Sequence, residues 1–390
     1  MNTPEAASPL PLKGQHQRPG KAGSAVFAWG ISHESWTAVP LTAITATDTL
    51  ARLHEFSTVI DARSESEYAE DRLPGAVNWP TLNDAQRREV GTEYAQDSPF
   101  VAKKRGAAMA ARNIAGHIER EVMDQPKDWK PLVYCWRGGK RSGSLALVLD
   151  QIGFRVHVLE GGYREYRRAV MAELEVLPQR FQYRVVCGTT GSGKSHLLQV
   201  LAAQGAQVLD LEALANHRGS VLGQVPGSPQ PGQKHFDSRL WDTLRRFDPQ
   251  RVVWVESESK KVGDLRVPQA LIEPMRASPC ITLELPLEAR VALLMTDYQH
   301  FVTDTPAFCD RLDALRVLRG NEVINGWQQA ARAGQTAQVV RDLLTTHYDP
   351  IYLQSMRRNF GGFSAPRLQV GWDGSAEALA IAASRMIEAG

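Results

Sequence analysis

The strongest local constraint on the fold is a glycine-rich segment near the middle of the chain. Residues 188–195 read GTTGSGKS, which fits the phosphate-binding pattern G-x-x-x-x-G-K-[ST]. Such a loop needs a buried strand before it and a helix after it. The sequence predicts both, as a strand over Tyr183–Cys187 and a helix over Lys194–Ala203. This part of the chain is therefore expected to be an α/β domain with a parallel sheet.

Each part of the phosphate loop has an expected role. Its N–H groups would wrap a diphosphate, Lys194 would reach the terminal phosphate, and Ser195 is the candidate ligand for Mg²⁺. The predicted phosphate-binding residues are Gly188, Thr189, Thr190, Gly191, Ser192, Gly193, Lys194 and Ser195. The pattern leaves open which phosphate compound binds.

Two acidic residues follow the next predicted strand of this domain, Arg251–Val255. Glu256 and Glu258 stand where an acid that orients a metal-bound water is expected. The alternative is a solvated acidic strand end without a role in chemistry.

A cysteine followed by glycines and cations marks a second candidate site. Cys135 ends a predicted buried strand, Pro131–Cys135, and a helix over Ser142–Gln151 follows it. Glycines between the two let successive N–H groups point toward one anion, and nearby cations add positive charge. The predicted anion-binding residues are Arg137, Gly138, Gly139, Lys140, Arg141 and Ser142. This environment favours the thiolate, the nucleophilic form of cysteine; the alternative is a buried structural cysteine.

Alternating strands and helices on both sides of residue 177 indicate two α/β domains. We expect a flexible leader over residues 1–40, a first parallel-sheet domain over 41–176, and a phosphate-loop domain with C-terminal helices over 177–390. The predicted strands outside the two loops are Ser57–Asp61, Ala76–Trp79, Arg155–Leu159, Ala206–Leu211, Cys280–Leu285 and one near 367–371. Residues 218–233, rich in glycine and proline, are expected to form a long functional or disordered loop.

Composition excludes several classes of protein. The sequence contains no run of eighteen apolar residues, so it predicts no membrane span. The N-terminal residues lack the pattern of a signal peptide. The four cysteines are far apart and form no C-x-x-C pair, which argues against a disulfide framework or a zinc site. Reduced thiols in the cytoplasm are the simplest interpretation.

A formal net charge of only +2 means that any RNA must be bound by local basic patches. The candidate RNA contacts are Arg164, Arg167, Arg168, His217 and Arg218. Tyr163 and Tyr166 alternate with the first three and are expected to stack on a base. The alternative is an ordinary solvated helix face.

Residues 45–175 resemble the rhodanese family. The resemblance rests on the cysteine loop, on Asp61-Ala62-Arg63 followed by Arg72-Leu73-Pro74-Gly75-Ala76, and on Leu159-Glu160-Gly161-Gly162. It implies that Cys135 is catalytic and that Asp61 and Arg63 support the loop. One departure is that five residues separate Cys135 from Arg141, one more than is usual in simple sulfurtransferases of this family. Rhodanese-like phosphatases share the longer loop, so phosphate-sized or selenium-bearing cargo fits as well as thiosulfate.

Over about residues 45–360, the chain is similar to the bacterial tRNA 2-selenouridine synthase family. The similarity adds the segments Asp210-Leu211-Glu212, 215–220 (ANHRGS) and 256–260 (ESESK) to the two loops. It implies that tRNA carrying wobble 2-thiouridine is the substrate and that selenophosphate donates selenium, with a selenophosphate-producing enzyme as a partner. It also implies a geranylated sulfur intermediate made from geranyl diphosphate, and Cys135 as the essential cysteine.

Three other functions fit parts of the sequence. A rhodanese-type sulfurtransferase fused to an NTPase would show thiosulfate:cyanide activity and ATP turnover. A phosphatase using Cys135 and Arg141 would hydrolyse aryl phosphates, although no strong general acid stands out in its loop. A non-catalytic, nucleotide-gated binding module would need neither Cys135 nor Lys194. The sequence leaves open the oligomeric state and the prenyl-tail contacts, for which residues 218–233 and the helices after 287 are candidates.

Overall fold

The computed structural model describes residues 41–219, 223 and 227–389. The predicted leader, residues 1–40, and residues 220–222 and 224–226 of the glycine- and proline-rich loop lie outside the described residues.

The first sheet consists of five parallel strands in the order β1-β5-β4-β2-β3. The strands are β1 (Thr42–Ile44), β2 (Thr58–Asp61), β3 (Ala76–Asn78), β4 (Pro131–Tyr134) and β5 (His157–Leu159). The helices are α1 (Ala46–Arg52), α2 (Glu65–Glu70), α3 (Asp84–Gln96), α4 (Pro99–Glu121), α5 (Lys140–Ile152) and α6 (Gly162–Val176). The central strand β4 is buried along its whole length, as is typical of a sheet covered on both faces.

The second sheet also has five parallel strands, in the order β12-β11-β6-β8-β7. They are β6 (Tyr183–Cys187), β7 (Gln207–Leu209), β8 (Val253–Glu256), β11 (Cys280–Glu284) and β12 (Leu368–Gly371), while β9 (Lys261–Val262) and β10 (Leu265–Arg266) form a separate antiparallel pair. Around the sheet lie α7 (Lys194–Ala203), α8 (Leu211–Ala215), α9 (Gln233–Leu244), α10 (Gln269–Ala277) and α18 (Ala376–Ala389). The phosphate loop follows the central strand β6, so the sheet presents it at its carboxyl edge.

A helical segment lies between β11 and β12 in the chain. It comprises α11 (Leu287–Asp297), α12 (Gln299–Thr303), α13 (Thr305–Asp313), α14 (Arg316–Arg319), α15 (Asn321–Arg332), α16 (Thr336–Asp342), a π-helix over Leu343–Tyr348, and α17 (Asp349–Asn359). Much of it has an apolar core of its own, built around Phe308, Leu312 and Trp327. The α/β class, with two parallel sheets and C-terminal helices, is therefore confirmed.

The two sheets belong to one continuous structure. A short 3₁₀ helix, Leu177–Arg180, leads from α6 directly into β6. Helix α6 packs on α9, and one buried apolar cluster includes Tyr166 of α6 and Trp241 of α9. The indole N–H of Trp241 also donates to Glu173 (2.5 Å). This core crosses the predicted boundary at residue 177, so the cysteine loop and the phosphate loop belong to one compact unit. None of the described helices is long and apolar enough to cross a bilayer.

Candidate active sites

Cys135 lies immediately after β4, at the carboxyl edge of the first sheet. Its side chain is only 3% exposed. The Gly139 N–H donates to the Cys135 Sγ (3.3 Å), and the Ser142 hydroxyl donates to the same sulfur (3.1 Å). Helix α5 begins at Lys140, so its positive end also lies at this loop. Two hydrogen-bond donors and a helix N-terminus therefore lie at the Cys135 sulfur.

The three cations of the cysteine loop have different surroundings. Arg137 and Lys140 are exposed to solvent. Arg141 instead forms a two-pronged salt bridge with Glu67 (2.6 and 3.2 Å). Burial alone would raise the pKa of Glu67, but Arg141 beside it holds this pKa below its ordinary value. Arg141 is thus anchored by an acidic partner that the sequence analysis did not identify.

The start of α6 closes the other side of the cysteine loop. The Tyr163 N–H donates to the Cys135 carbonyl oxygen (2.8 Å). Gly162 has a φ of 63°, and a Cβ there would lie 2.2 Å from the same carbonyl oxygen. Only glycine fits this close approach without moving the loop. The Gly161-Gly162 pair therefore shapes the cysteine loop, which agrees with its place in the rhodanese signature.

Asp61 and Arg63 form a fully buried ion pair beneath the loop. Their side chains are 0% exposed, and Arg63 Nη2 lies 2.6 Å from Asp61 Oδ2. The Tyr134 hydroxyl, from the residue before Cys135, donates to the same carboxylate (2.7 Å). The Arg63 guanidinium also lies 4.0 Å from the ring centroid of Tyr163. Such burial keeps both charged groups away from substrate and fits the loop-supporting role that the resemblance implies.

Replacing Arg63 by alanine is expected to lower the free energy of unfolding by about 3–5 kcal/mol, because it leaves Asp61 charged, buried and unpaired. Urea unfolding measures this loss. Arg105→Ala is the matched control, since Arg105 pairs with Glu89 at the surface, where both side chains are 48% exposed. Its expected cost is below about 1 kcal/mol. Equal losses in the two variants would contradict the structural role of Arg63.

The phosphate loop is held in shape by residues far along the chain. Arg290 donates to the Thr190 carbonyl oxygen (2.7 and 2.9 Å) and pairs with Asp349. The Trp372 indole N–H donates to the Ser192 carbonyl oxygen (2.9 Å), and the Tyr352 hydroxyl accepts from the Gly188 N–H (2.9 Å). These contacts hold the loop backbone at three positions, Gly188, Thr190 and Ser192.

The two polar side chains at the end of the phosphate loop have partners across the loop. Lys194 Nζ donates to the Gly188 carbonyl oxygen (2.8 Å) and lies 5.2 Å from the ring centroid of Tyr352. The Ser195 hydroxyl donates to Glu212 (2.7 Å). Helix α7 begins at Lys194, so its positive end faces the same space. The loop thus presents an ammonium, a hydroxyl and a helix N-terminus together.

Four acidic residues line the space in front of the loop: Asp210, Glu212, Glu258 and Asp297. Burial raises the pKa of Glu212, and burial together with the charge of Glu212 raises the pKa of Glu258 to about 7. Glu256 does not line this space; it is 1% exposed, and its carboxylate accepts from the Glu212 N–H (2.9 Å). Of the two acids predicted from sequence, Glu258 lines the cavity and Glu256 positions α8. The role of Glu212 was missed, although it lies within a segment used for the family resemblance.

These groups face a cavity of about 730 Å³. Besides the loop and the acids, its wall includes His217, Arg218 and tyrosines of the helical segment. Arg218 donates to the Asp297 carbonyl oxygen (2.6 Å), and its guanidinium lies 4.8 Å from the ring centroid of Tyr298. His217 accepts from the Gly219 N–H (3.1 Å), and burial lowers its pKa. The two predicted tRNA contacts at 217 and 218 therefore lie at the phosphate loop.

The basic face of α6 differs from the prediction. Tyr163 and Tyr166 are 2% and 0% exposed, so the expectation that they stack on a base is wrong. They lie on the face of α6 that packs into the shared core, three residues apart, which is why both are covered. Arg167 on the same helix pairs with Asp237 of α9. Arg164 and Arg168 remain exposed, and both pair with Glu165 on their own helix.

The other cysteines have no catalytic surroundings. Cys187, Cys280 and Cys309 are buried free thiols. A hydrogen bond with Cys280, together with burial, raises the pKa of Cys187. Cys187 is therefore a buried packing residue of β6. Within residues 41–219, 223 and 227–389, no group of three or more His, Cys, Asp or Glu side chains is arranged to hold a metal ion.

The two sites define a class of protein, in which a rhodanese-like domain with a cysteine in its loop is fused to a phosphate-loop domain. Residues 45–169 match the rhodanese-like domain, and residues 181–320 match the AAA domain described for tRNA 2-selenouridine synthase. The chain is 30% identical to tRNA 2-selenouridine synthase of Aeromonas salmonicida over 331 residues, which cover 76% of this chain and 87% of the relative. The chain belongs to the tRNA 2-selenouridine synthase family.

Two further comparisons add detail. The enzyme of the same name from Nitrosomonas europaea is 34% identical over 248 residues, covering 62% of this chain and 63% of the relative, so this match spans less than two thirds of that protein. The relative from Hydrogenovibrio crunogenus is 31% identical, covering 77% of this chain and 89% of its own length. Among solved structures, a rhodanese-like domain protein from Staphylococcus aureus is 18% identical over 32% of this chain and 90% of its own length, with a TM-score of 0.21.

Proposed function

We propose that this protein is a tRNA-modifying transferase that replaces sulfur by selenium in wobble 2-thiouridine. The proposed route passes through a geranylated sulfur and uses geranyl diphosphate and selenophosphate. The main support is that relatives named tRNA 2-selenouridine synthase align across both domains. Further support is that two loops, each leading into a helix N-terminus, lie within one compact unit, as expected for a reaction with two phosphate-bearing donors.

The first step is assigned to the phosphate loop. The loop N–H groups and Lys194 hold the diphosphate of geranyl diphosphate. The thiocarbonyl sulfur of the base attacks the first carbon of the geranyl group, and the carbon–oxygen bond to diphosphate breaks. Lys194 and the N-terminus of α7 stabilise the charge of the departing diphosphate. The ring nitrogen next to carbon 2 loses its proton to solvent, and the product is an S-geranylated base, whose sulfur is a better leaving group.

The residues around Ser195 fit a Mg²⁺ ion. The Ser195 hydroxyl and the Glu212 carboxylate lie 2.7 Å apart, and both are the oxygen ligands that Mg²⁺ prefers. Glu258 adds a partly buried carboxylate in the same cavity. Mg²⁺ usually takes one or two protein carboxylates and completes its shell with substrate phosphates and water. When bound, it would neutralise charge on the diphosphate, while Ser195 and Glu212 would position it.

The second step is assigned to the cysteine loop. The selenium of selenophosphate forms a bond to carbon 2 of the base, and the carbon–sulfur bond breaks to release geranylthiolate, which takes up a proton. Water then cleaves the phosphorus–selenium bond, which leaves selenouridine and phosphate. The Gly139 N–H and the Ser142 hydroxyl, both directed at Cys135, make this loop suited to anionic cargo. Cys135 would hold either selenophosphate or the departing thiol.

The partners follow from this reaction. Wobble 2-thiouridine tRNA is the proposed macromolecular substrate, and an enzyme that makes selenophosphate must supply the second donor. Arg164 and Arg168 remain the candidate backbone contacts on α6, and His217 and Arg218 are the candidates at the phosphate-loop cavity. We also propose a cytoplasmic location, because translation uses tRNA there and the described cysteines are free thiols.

Omitting each donor in turn tests this function. Thiouridine-containing tRNA is incubated with the protein, geranyl diphosphate and selenophosphate, and its nucleosides are analysed by mass spectrometry. Geranyl diphosphate alone should add one geranyl group to the base, and both donors should yield selenouridine. Unchanged tRNA in every reaction would overturn the proposal. Thiosulfate:cyanide transfer and aryl phosphate hydrolysis would then test the sulfurtransferase and phosphatase alternatives, the latter suggested by the length of the Cys135–Arg141 loop.

A further inference from the structure

A second, smaller cavity opens beside the phosphate loop. It has a volume of about 50 Å³ and lies within the helical segment. Its inner wall is formed by Phe301, Val302, Phe308, Val340, Leu343 and Leu344, which are named here the tail pocket. Phe301, Phe308, Leu343 and Leu344 are buried, so the floor of this pocket lies in the protein core.

The tail pocket adjoins the phosphate-loop cavity. Four residues line both spaces: Thr190, Leu294, Tyr298 and Tyr348. Thr190 belongs to the phosphate loop itself, and its carbonyl oxygen is fixed by Arg290. The organic part of a molecule whose phosphates bind the loop would therefore lie beside the walls that the two spaces share.

The lining of the pocket identifies the chemistry of that organic part. No charged side chain lines it among the described residues, and the only polar side chains are two threonines and two tyrosines. A ribose or nucleobase buried there would leave hydroxyl or amide groups without enough hydrogen-bond partners, which is energetically unfavourable. A hydrocarbon chain carries no such cost and gains from leaving water. The wall therefore selects a diphosphate whose organic part is a hydrocarbon.

The pocket and the phosphate-loop cavity meet at an unusual piece of backbone. The π-helix Leu343–Tyr348 directs Leu343 and Leu344 into the pocket and His347 into the phosphate-loop cavity, while Tyr348 lines both. The π-helix is rare and is found frequently at functional sites. One short element thus builds the apolar wall and part of the polar cavity together.

We propose that the tail pocket binds the hydrocarbon end of a prenyl diphosphate and sets the chain length that the enzyme accepts. This inference rests on the proposed transfer of a prenyl group to tRNA. A water molecule needs about 10–15 Å³ of such volume, so the pocket holds roughly four groups of that size, close to one isoprene unit. A ten-carbon chain would place its terminal isoprene unit in the pocket, and a fifteen-carbon chain carries one unit more than the pocket holds.

Leu344 and Val340 are the positions that test this assignment. Leu344 is 1% exposed but lies outside the apolar core cluster that contains Phe301, Phe308 and Leu343, so shortening it enlarges the pocket without removing a member of that cluster. Val340 is partly exposed, and a larger side chain there fills the pocket from its rim. Val323→Phe is the control for adding an aromatic ring, because Val323 is 41% exposed and lines neither cavity.

The experiment measures kcat/KM for tRNA prenylation with dimethylallyl, geranyl and farnesyl diphosphates, and separately the binding of geranyl diphosphate and of inorganic diphosphate. Leu344→Ala should raise the farnesyl-to-geranyl ratio of kcat/KM by about 10-fold or more, since one methylene in an apolar pocket is worth about 10- to 200-fold. Val340→Phe should weaken the binding of geranyl diphosphate by about 10- to 100-fold and leave the binding of inorganic diphosphate unchanged. Val323→Phe should match the unmodified protein in both measurements.

The outcomes separate this inference from the proposed function. Geranyl transfer with the same chain-length ratio in every variant would overturn the tail pocket and leave the proposed function standing. The absence of transfer from any prenyl diphosphate to tRNA would overturn the proposed function. Equal losses of geranyl diphosphate and inorganic diphosphate binding in Val340→Phe would show a damaged phosphate loop, and Leu344→Ala then decides alone whether the pocket sets chain length.

Discussion

Replacing Lys194 by alanine is expected to lower the rate of tRNA geranylation by about 100- to 1000-fold, the usual effect of removing one group that stabilises charge in the transition state. The Lys194 ammonium is placed across the phosphate loop, with Nζ at 2.8 Å from the Gly188 carbonyl oxygen. Without it, the departing diphosphate keeps only the loop N–H groups and the end of α7. Mass spectrometry of tRNA incubated with geranyl diphosphate measures the rate.

The same variant should convert tRNA that is already geranylated to selenouridine at the rate of the unmodified protein. Lys261→Ala is the matched control, because Lys261 is an exposed lysine of β9 that does not line the phosphate-loop cavity. It should leave both steps unchanged. Geranylation by Lys194→Ala at the rate of the unmodified protein would contradict the assignment of the first step to the phosphate loop.

Replacing Cys135 by alanine is expected to abolish the selenium step, with a loss of at least about 1000-fold, and to leave geranylation intact. The loop converges on this sulfur through the Gly139 N–H and the Ser142 hydroxyl, while the phosphate loop belongs to the other sheet. The expected product in the presence of both donors is geranylated tRNA without selenouridine.

Cys309→Ala is the matched control for loss of a buried thiol, since Cys309 lies in the core of the helical segment and is 3% exposed. It should retain both activities, and thermal unfolding of the two variants shows whether either has lost its fold. Loss of geranylation together with selenation in a folded Cys135→Ala variant would contradict the division of labour between the two loops.

The parts of the fold with strong local signals were predicted closely. Strand β6 and helix α7 have the predicted bounds. The apolar strand, the glycine-rich loop and the helix that begins at Lys194 are adjacent in sequence, and the loop pattern requires both neighbours. Two helices next to the cysteine site, α2 and α3, were missed although each begins with a capping box, Ser64 with Glu67 and Asn83 with Gln86. Those spacings were available in the sequence.

The error about the tyrosines of α6 also had a signal in the sequence. Tyr163, Tyr166, Val170 and Leu174 recur at helical spacing and mark the buried face, whereas the interpretation followed the arginines between them. The residues that shape the phosphate loop had no such signal. Arg290 and Trp372 are distant from it in sequence, and only the folded chain brings them to Thr190 and Ser192.

The central claim is that two loops in one chain act in sequence on the same base. The most direct test passes tRNA from one variant to the other. Thiouridine tRNA is first incubated with Cys135→Ala and geranyl diphosphate, purified, and then incubated with Lys194→Ala and selenophosphate. Selenouridine in the second reaction, with release of geranylthiol, is the predicted result. Geranylated tRNA that the Lys194→Ala protein leaves unchanged, while the unmodified protein converts it, would contradict the claim.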